Sequence, residues 1–210
     1  MEHVLVIGTG AREHVIVETL LKSERVNKVY VLKGNTGMES KRCFLVENVN
    51  INNFEEIKKF CKNNSINLVF IGPEKYLMDG LTDYLEKSGI KCFGPTKHNT
   101  LLTEGSKIKS KNLMKKLELP TSNFIEFNLS EDYYKNVIFH LGKEINTCVI
   151  KKDGLAAGKG VYLPNNINDA FLFIGECMND INCKKILIEE RLYGVEVSVM
   201  AFCNGEEVWL

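Results

Sequence analysis

The sequence predicts an α/β protein with an N-terminal domain built on a parallel β-sheet, followed by further, smaller regions. Three observations indicate this. Short apolar runs alternate with amphipathic helical segments over residues 4–93, as in parallel sheets covered by helices. Most of these runs end at glycine-bearing turns. After Thr96 the pattern changes, and a basic helix leads into a second series of strands and helices.

Four strands and three helices are predicted in the N-terminal domain. The strands are Val4–Ile7, Lys28–Leu32, Leu68–Ile71 and Ile90–Phe93, and the helices are Arg12–Lys22, Phe54–Asn63 and Tyr76–Lys87. Ligands of open parallel sheets bind at the carboxyl ends of the strands. The segments that follow the strands should therefore line one rim: Gly8–Gly10, Gly34–Gly37, Gly72–Glu74 and Gly94–Pro95.

The second half of the sequence predicts further helices and strands. The helices are Ile108–Leu117, Tyr133–Leu141 and Asn168–Met178, and the strands are Phe124–Phe127, Cys148–Lys151, Val161–Leu163 and Lys185–Glu189. Valines at every second position from Val195 to Val199 predict another strand, and Asn204-Gly205 predicts a two-residue hairpin turn. Because the sequence stops inside an apolar strand at Val208–Leu210, we expect it to be the front part of a longer protein.

Charge and cysteine usage limit the classes of function. Lys and Arg together number 27, as do Asp and Glu, and a zero net charge argues against nucleic acid as the main partner. No apolar run approaches the ~20 residues of a membrane span, and the N-terminus lacks the features of a secretory signal. The seven cysteines are scattered without a C-x-x-C pair, which predicts plain buried thiols in a reducing, cytoplasmic setting and neither zinc sites nor disulfides.

The loop Gly8–Gly10 lies between a predicted strand and a predicted helix. Its glycines let backbone N–H groups approach a ligand, and the helix N-terminus favours an anion. The dinucleotide fingerprint G-x-G-x-x-G/A fails at its third position, Glu13, and the second strand ends in Lys33 without the expected ribose-binding acid. The pattern therefore favours a smaller phosphate-bearing ligand over NAD or FAD, and a plain tight turn is the remaining alternative.

A sharper pattern runs from Lys151 to Val161. Glycines and small residues between two strands form a loop whose N–H groups can wrap phosphates. It is not a Walker A loop, because only three residues separate Gly154 from Gly158, and Gly160 replaces the Ser or Thr that would meet magnesium. A hairpin tip without a ligand is the alternative.

Acidic residues follow the apolar strand that ends near Ile188. A carboxylate there can accept hydrogen bonds from ribose hydroxyls, and an extended backbone can bind an adenine edge. Solvated charges at a strand end are the alternative. The helix face formed by Lys107, Lys111 and Lys115 is interpreted as solvated, since the net charge is zero.

Together these segments resemble, in the same order along the chain, the phosphoribosylamine–glycine ligase (glycinamide ribonucleotide synthetase) family of the ATP-grasp superfamily. The matching segments are Val6–His14, Gly34–Gly37, Ile71–Glu74, Cys92–Thr96, Glu104–Lys107, Leu119–Thr121, Val149–Val161 and Ile188–Glu190. The stretch Asp153–Val161 carries the most specific part of the resemblance.

The resemblance implies a domain order and an activity. It implies an N-terminal Rossmann-like (pre-ATP-grasp) domain at residues 1–102 for the phosphoribosyl substrate, a connecting helix at 103–122, a small ATP-grasp lid domain at 123–190 and the start of a truncated third domain at 191–210. The family joins glycine to phosphoribosylamine with ATP, through a glycyl phosphate, in purine biosynthesis. It uses Mg²⁺ or Mn²⁺. Fusion of the full-length protein to other purine-pathway domains is an open alternative.

The resemblance also implies roles for individual residues. Lys107 and Lys151 would contact the phosphates of ATP, and Glu196 would bind its ribose. The lid loop would consist of Gly154, Leu155, Ala156, Ala157, Gly158, Lys159 and Gly160. The adenine would meet, largely through their backbone, Glu189, Glu190, Arg191 and Leu192. Phosphoribosylamine would face Gly8, Gly10, Asn35 and Glu74. The family's metal ligands and later catalytic residues would lie beyond residue 210, so no metal ligand is assigned and the chain alone is expected to be inactive.

The sequence departs from the family pattern at a few positions. The family usually has Gly-Gly where Gly10-Ala11 stands and Ala-Pro where Lys75-Tyr76 stands. Two alternatives stay open beside the ligase: another ATP-grasp carboxylate ligase or carboxylase, and a nucleotide-binding truncation without catalysis. A nicotinamide oxidoreductase is disfavoured by Glu13 and Lys33.

Overall fold

The computed structural model describes residues 1–129, Val137, Leu141, 145–156 and 158–210. Contacts within the chain divide it into two compact units. The first comprises Met1–Leu119 together with Lys152–Gly160, and the second comprises Pro120–Lys151 together with Val161–Leu210. The domain boundaries expected at residues 102, 122 and 190 stay a proposal.

The first unit is built on a five-stranded parallel sheet of order β3-β2-β1-β4-β5. Its strands are β1 (Glu2–Ile7), β2 (Val26–Leu32), β3 (Cys43–Val46), β4 (Leu68–Ile71) and β5 (Cys92–Phe93). Its helices are α1 (Ala11–Lys22), α2 (Phe54–Asn63), α3 (Glu74–Asp79), α4 (Leu81–Glu86), α5 (Lys97–Thr103) and α6 (Lys107–Lys116). The predicted Rossmann-like sheet is confirmed, and its strand order reverses between β1 and β4.

Alternate residues of β1 pack on opposite faces of this sheet. Val4 and Val6 belong to one apolar core together with residues of α1. Leu5 and Ile7 belong to a second core, together with the fully buried Ile57 of α2. Because helices cover both faces, the buried part of β1, Val4–Ile7, is a continuous apolar run rather than an alternation of apolar and polar residues.

The single helix predicted over Tyr76–Lys87 is wrong, because two helices, α3 and α4, occupy this segment. They meet at Gly80, whose φ is +91°. The left-handed conformation ends α3, and glycine adopts it without the steric cost that a Cβ would bring. The apolar spacing continues across the break, so periodicity alone did not reveal it. No pattern predicted β3 or α5, and β5 is shorter than expected.

The second unit contains a four-stranded sheet of order β6-β9-β7-β8. Its elements are β6 (Phe124–Asn128), a 3₁₀ turn (Ile145–Thr147), β7 (Cys148–Lys152), β8 (Val161–Tyr162), α7 (Ile167–Asn179) and β9 (Lys185–Glu190). The pairs β6–β9 and β7–β8 are antiparallel. Ile174 of α7 packs with Ile150 and Ile186 of the sheet. The predicted helix Tyr133–Leu141 lies outside the described residues, except for the helical, buried Val137 and Leu141.

The strand predicted from Val195 to Val199 is wrong. Residues 191–201 form no strand, and Val195, Val197 and Val199 are 93%, 83% and 79% exposed. A hairpin of β10 (Phe202–Cys203) and β11 (Val208–Trp209) follows. The hairpin is confirmed, but its loop has four residues rather than two. Asn204 explains the longer loop, because its side-chain oxygen accepts hydrogen bonds from the N–H groups of Glu206 and Glu207.

All seven cysteines are described, and none of them forms a disulfide. Burial is the main cause that raises the pKa of Cys61 and of Cys92 to about 12, which makes these thiols poor nucleophiles. The prediction of burial is wrong for Cys203, which is exposed. Within the ranges that the structure describes, no helix is both long and apolar enough to cross a bilayer.

Candidate functional site

A cleft of about 630 Å³ lies in the second unit, beside the end of β9. We call it the β9 cleft. Part of its lining is apolar and is formed by Val149, Val161 and Leu163. The rest includes six residues that the sequence analysis assigns to ATP: Lys151, Glu189, Glu190, Arg191, Leu192 and Glu196. The fold therefore brings together residues from two distant stretches of sequence.

An ion pair between a partly exposed lysine and a buried glutamate forms part of the charged wall of the β9 cleft. Lys151 extends from β7, and its Nζ lies 2.9 Å from Oε1 of Glu189 on the neighbouring strand β9. Ser122 donates a hydrogen bond of 2.9 Å to the other oxygen, Oε2. Glu189 is 5% exposed, and a carboxylate so buried needs such partners. The Glu189 side chain therefore positions Lys151.

The backbone beyond Glu189 is partly engaged within the second unit. The N–H of Glu190 donates to the carbonyl of Asn123 at 2.9 Å, and the N–H of Arg191 donates to the carbonyl of Thr147 at 2.7 Å. These two N–H groups are occupied, so a backbone contact to adenine would use other groups of this segment. The Arg191 guanidinium lies 5.1 Å from the ring centre of Tyr193.

The glycine loop, residues Lys152–Gly160, connects β7 to β8. A hydrogen bond of 2.7 Å from the N–H of Lys152 to the carbonyl of Gly160 closes its base. Gly154 and Gly158 have φ values of +91° and +80°, which L side chains rarely adopt. The predicted loop between two strands is confirmed. Ala157, one of its predicted ligand residues, lies outside the described residues.

Side-chain contacts hold the glycine loop to the start of α6, both of them in the first unit. Asp153 Oδ1 accepts hydrogen bonds from Ser106 Oγ at 3.0 Å and from the N–H of Ile108 at 3.1 Å. Lys107 Nζ donates to the carbonyl of Gly154 at 2.8 Å. Lys107, predicted to contact phosphate, is thus next to the glycine loop.

The loops that follow β1, β2 and β4 meet at one edge of the first sheet, as predicted. Asn35 Nδ2 donates to the carbonyl of Thr9 at 3.0 Å, and Arg12 pairs with Glu74 at 3.0 Å. A hydrogen bond to its own backbone N–H, and then the Arg12 guanidinium, lower the pKa of Glu74 against the opposing effect of burial. Asn35 and Glu74, both assigned to phosphoribosylamine, therefore lie on this rim.

Glu13 fills the crevice at the point where the strand order reverses. It is 5% exposed, and its Oε2 accepts a hydrogen bond of 2.7 Å from the N–H of Gly10. A Cβ placed on Gly72 would overlap Glu13 Oε1, and one on Gly8 would lie 2.6 Å from its Cγ. The N–H of Gly10 is therefore bound to an internal carboxylate. A dinucleotide phosphate would have to displace that carboxylate, which is the physical reason behind the failed fingerprint.

Four polar residues of these sites were missed by the sequence interpretation: Glu13, Ser106, Ser122 and Asp153. Ser106 carried a usable signal, because serine before a helical segment is a typical N-cap, and its Oγ accepts from the N–H of Lys109. The sequence analysis used Glu13 only as evidence against the dinucleotide fingerprint and did not assign it a contact. Ser122 carried no local signal. Asp153 begins the most specific stretch of the resemblance, but its partners are distant in sequence, so the sequence did not indicate what it binds.

Two further observations concern a second cavity and the residue types that could bind a metal ion. A cavity of about 670 Å³ at the amino ends of β1, β2 and β4 contains none of the predicted site residues. Among the described residues, no group of three or more His, Cys, Asp or Glu side chains is arranged to hold a metal ion.

The chain is similar to known proteins over almost its whole length. It is 38% identical to a phosphoribosylamine–glycine ligase of Caldanaerobacter subterraneus, in an alignment covering 98% of this chain and 48% of that protein. It is 37% identical to a bifunctional purine biosynthetic protein of Dictyostelium discoideum, in an alignment covering 97% of this chain and 25% of that protein. The chain thus spans about half the length of the curated phosphoribosylamine–glycine ligases that it matches.

A solved structure and two family models agree with these relatives. The crystal structure of a phosphoribosylamine–glycine ligase from Thermotoga maritima matches with a TM-score of 0.72 at 27% identity, covering 98% of this chain and 48% of that one. Residues 2–103 match the phosphoribosylglycinamide synthetase N domain, and residues 105–210 match the ATP-grasp (A) domain of the same family. The chain therefore belongs to the phosphoribosylglycinamide synthetase family, and its second half to the ATP-grasp fold.

Proposed function

We propose that this chain binds ATP and serves the ATP-dependent joining of glycine to phosphoribosylamine in purine biosynthesis. The observation that carries the proposal is the β9 cleft, which gathers six residues that the family resemblance assigns to ATP. In the proposed reaction, the glycine carboxylate takes the terminal phosphoryl group of ATP, giving glycyl phosphate and ADP. The amine of phosphoribosylamine then attacks the acyl carbon and releases phosphate, which leaves glycinamide ribonucleotide.

The chemistry of the β9 cleft suits the adenosine part of ATP. Its volume of about 630 Å³ lies within the range of about 300–1,000 Å³ that is usual for small-molecule sites. Val149, Val161 and Leu163 supply apolar surface for a flat base. Glu196, which is exposed, supplies a carboxylate that can accept hydrogen bonds from ribose hydroxyls.

We propose that lysine side chains and loop N–H groups bind the phosphates. Lys151 is held in the β9 cleft by Glu189, and Lys107 lies against the glycine loop. Phosphoryl transfer depends mainly on positioning and on neutralising charge, and both lysines supply charge without covalent chemistry. ATP, when bound, supplies the phosphoryl group that activates a carboxylate.

The remaining assignments also stay proposals. Gly8, Gly10, Asn35 and Glu74 are proposed to face phosphoribosylamine. If phosphate binds at Gly10, the Glu13 carboxylate has to release its N–H first. We propose Mg²⁺ or Mn²⁺ as the metal, a cytoplasmic location, small-molecule partners rather than nucleic acid or membrane, and, in some proteins of the family, fusion to other purine-pathway domains. That the 210 residues alone do not complete the reaction also stays a prediction.

Equilibrium binding of a fluorescent ATP analogue tests the proposal. Lys151→Met should weaken binding at least tenfold, since a charge-assisted contact contributes about 1.5–3 kcal/mol. Glu196→Gln, at an exposed residue, should weaken it less and should leave the fold intact. The matched control is Lys185→Met, since Lys185 lies on the same sheet but outside the β9 cleft, and it should stay within about twofold of the wild-type affinity.

The same titration can refute the proposal. Wild-type protein that binds no ATP analogue would remove its basis. Equal affinities for the wild type, Lys151→Met and Glu196→Gln would move the nucleotide away from the β9 cleft. Circular dichroism of each variant separates a lost contact from a lost fold, because Lys151→Met removes an ammonium group that pairs with the buried Glu189.

A further inference from the structure

The carboxylate of Asp153 binds the first turn of helix α6. Its Oδ1 accepts from Ser106 Oγ and from the N–H of Ile108, and its Oδ2 lies 3.1 Å from the same Ser106 Oγ. Ser106 is 6% exposed, and its Oγ also accepts from the N–H of Lys109 at 3.1 Å. One carboxylate and one hydroxyl therefore satisfy two of the N–H groups that every helix leaves open at its start.

This arrangement joins two segments that are far apart in sequence. The glycine loop provides Asp153 and Gly154, and α6 provides Ser106 and Lys107. The Lys107 ammonium completes the connection by donating to the carbonyl of Gly154. Gly154, the residue after Asp153, has a left-handed φ of +91°, and the main chain changes direction there. The hydrogen bonds of Asp153 to α6 therefore fix the position from which the rest of the glycine loop extends.

The carboxylate also occupies a place that attracts anions. A helix N-terminus carries partial positive charge and favours a negative group. At α6 the protein supplies that group itself, so the start of α6 is not available to a phosphate. In this unit, the groups that we expect to bind phosphate are therefore the Lys107 ammonium and the N–H groups of the glycine loop.

We propose that Asp153 is a positioning residue of the nucleotide site: it fixes the glycine loop to α6 and so places Lys107 and the loop N–H groups for the phosphates. This inference rests on the proposed binding of ATP. Asp153 itself touches no phosphate in this proposal. Ser106 is its partner, and removal of either side chain should release the glycine loop from α6.

The test compares the affinities for ATP and for adenosine, measured by calorimetry on the 210-residue chain. Asp153→Ala should weaken ATP binding about tenfold, because a lost hydrogen-bonded carboxylate is worth roughly that factor. Adenosine has no phosphates, and Asp153 does not line the β9 cleft, so adenosine affinity should change less than about twofold. A merely structural role would not produce this difference between the two ligands.

Three further variants sharpen the result. Asp153→Asn keeps an oxygen acceptor for the N–H of Ile108 and should recover most of the ATP affinity. Ser106→Ala should weaken ATP binding in the same direction as Asp153→Ala, and the two effects should not add, since both break one connection. Asp79→Ala is the matched control, because Asp79 pairs with Lys75 on an exposed surface of α3 and its loss should leave both affinities unchanged.

The outcomes are distinct. Unchanged ATP affinity in Asp153→Ala overturns the inference and leaves the proposed function standing. An equal loss of ATP and adenosine binding also overturns it, because Asp153 would then support the whole fold rather than the phosphate-binding loop. Wild-type protein that binds neither ligand refutes the proposed function itself.

Discussion

Three carboxylates of this protein each bind a partner inside their own unit. Glu13 binds the N–H of Gly10, Asp153 binds the start of α6, and Glu189 binds Lys151. Burial of a carboxylate is costly unless hydrogen bonds or an opposite charge offset the lost hydration. Such partners are distant in sequence for Asp153 and Glu189, so the sequence indicated the presence of these acids but not what they bind.

The contact between Glu13 and Gly72 predicts a pair of coupled substitutions. Gly72→Ala should lower the free energy of unfolding by about 1–3 kcal/mol, because the new methyl group would collide with the Glu13 side chain. The cost should fall by roughly 1 kcal/mol or more when Glu13→Ala is already present, since the colliding atoms are gone. Urea denaturation of the four proteins in this double-mutant cycle measures the coupling.

A second glycine serves as the control for this cycle. Gly175 lies within α7, and a Cβ there would meet no atom within 4 Å. Gly175→Ala should therefore stabilise the protein by about 0.5–1 kcal/mol, the helix-propensity difference between the two residues.

Additive effects of Gly72→Ala and Glu13→Ala in the double-mutant cycle would contradict the predicted coupling and would show that the crevice adapts without strain.

At the scale of elements, α6 ends in a turn that glycine would suit better than the residue present. The N–H of Glu118 donates to the carbonyl of Lys115, and the N–H of Leu119 donates to the carbonyl of Met114. This is the Schellman pattern, which needs a left-handed residue after the helix. Glu118 takes that position with a φ of +56°, at a steric cost that glycine avoids.

Glu118→Gly should therefore raise the free energy of unfolding by up to about 1 kcal/mol, with strain relief exceeding the added entropy of the unfolded chain. Lys115→Gly, three residues earlier and inside α6, should lower it by about 1 kcal/mol. Thermal and urea unfolding of the two variants give the comparison. Loss of stability in both would mean that the turn imposes no strain on Glu118.

Most helices and strands whose apolar side chains are buried were predicted, whereas an apolar alternation without burial predicted a strand that does not form. Helix α2 has the predicted bounds, because Phe54, Ile57 and Cys61 form an apolar stripe on one helical face. The alternation from Val195 to Val199 predicted a strand, but these side chains are exposed and the segment forms no strand. Alternation indicates a strand only where a neighbouring strand supplies hydrogen bonds and burial.

At the scale of the whole molecule, the order of motifs predicted the family, and the fold brings residues that are far apart in sequence into contact within each unit. Adjacent strands β7 and β9 bring Lys151 to Glu189. The return of the chain through the glycine loop brings Asp153 to Ser106. Motif spacing alone did not reveal these pairings, because they follow from strand order and loop path.

Hydrogen exchange of the chain with and without ATP, read by mass spectrometry, shows which segments the nucleotide contacts. ATP should slow exchange in two segments, 152–160 and 188–196, because these contain the glycine loop and the edge of the β9 cleft. Exchange that stays unchanged in both segments at saturating ATP, or protection found only at the Gly8–Gly10 and Gly72–Glu74 loops, would contradict this prediction.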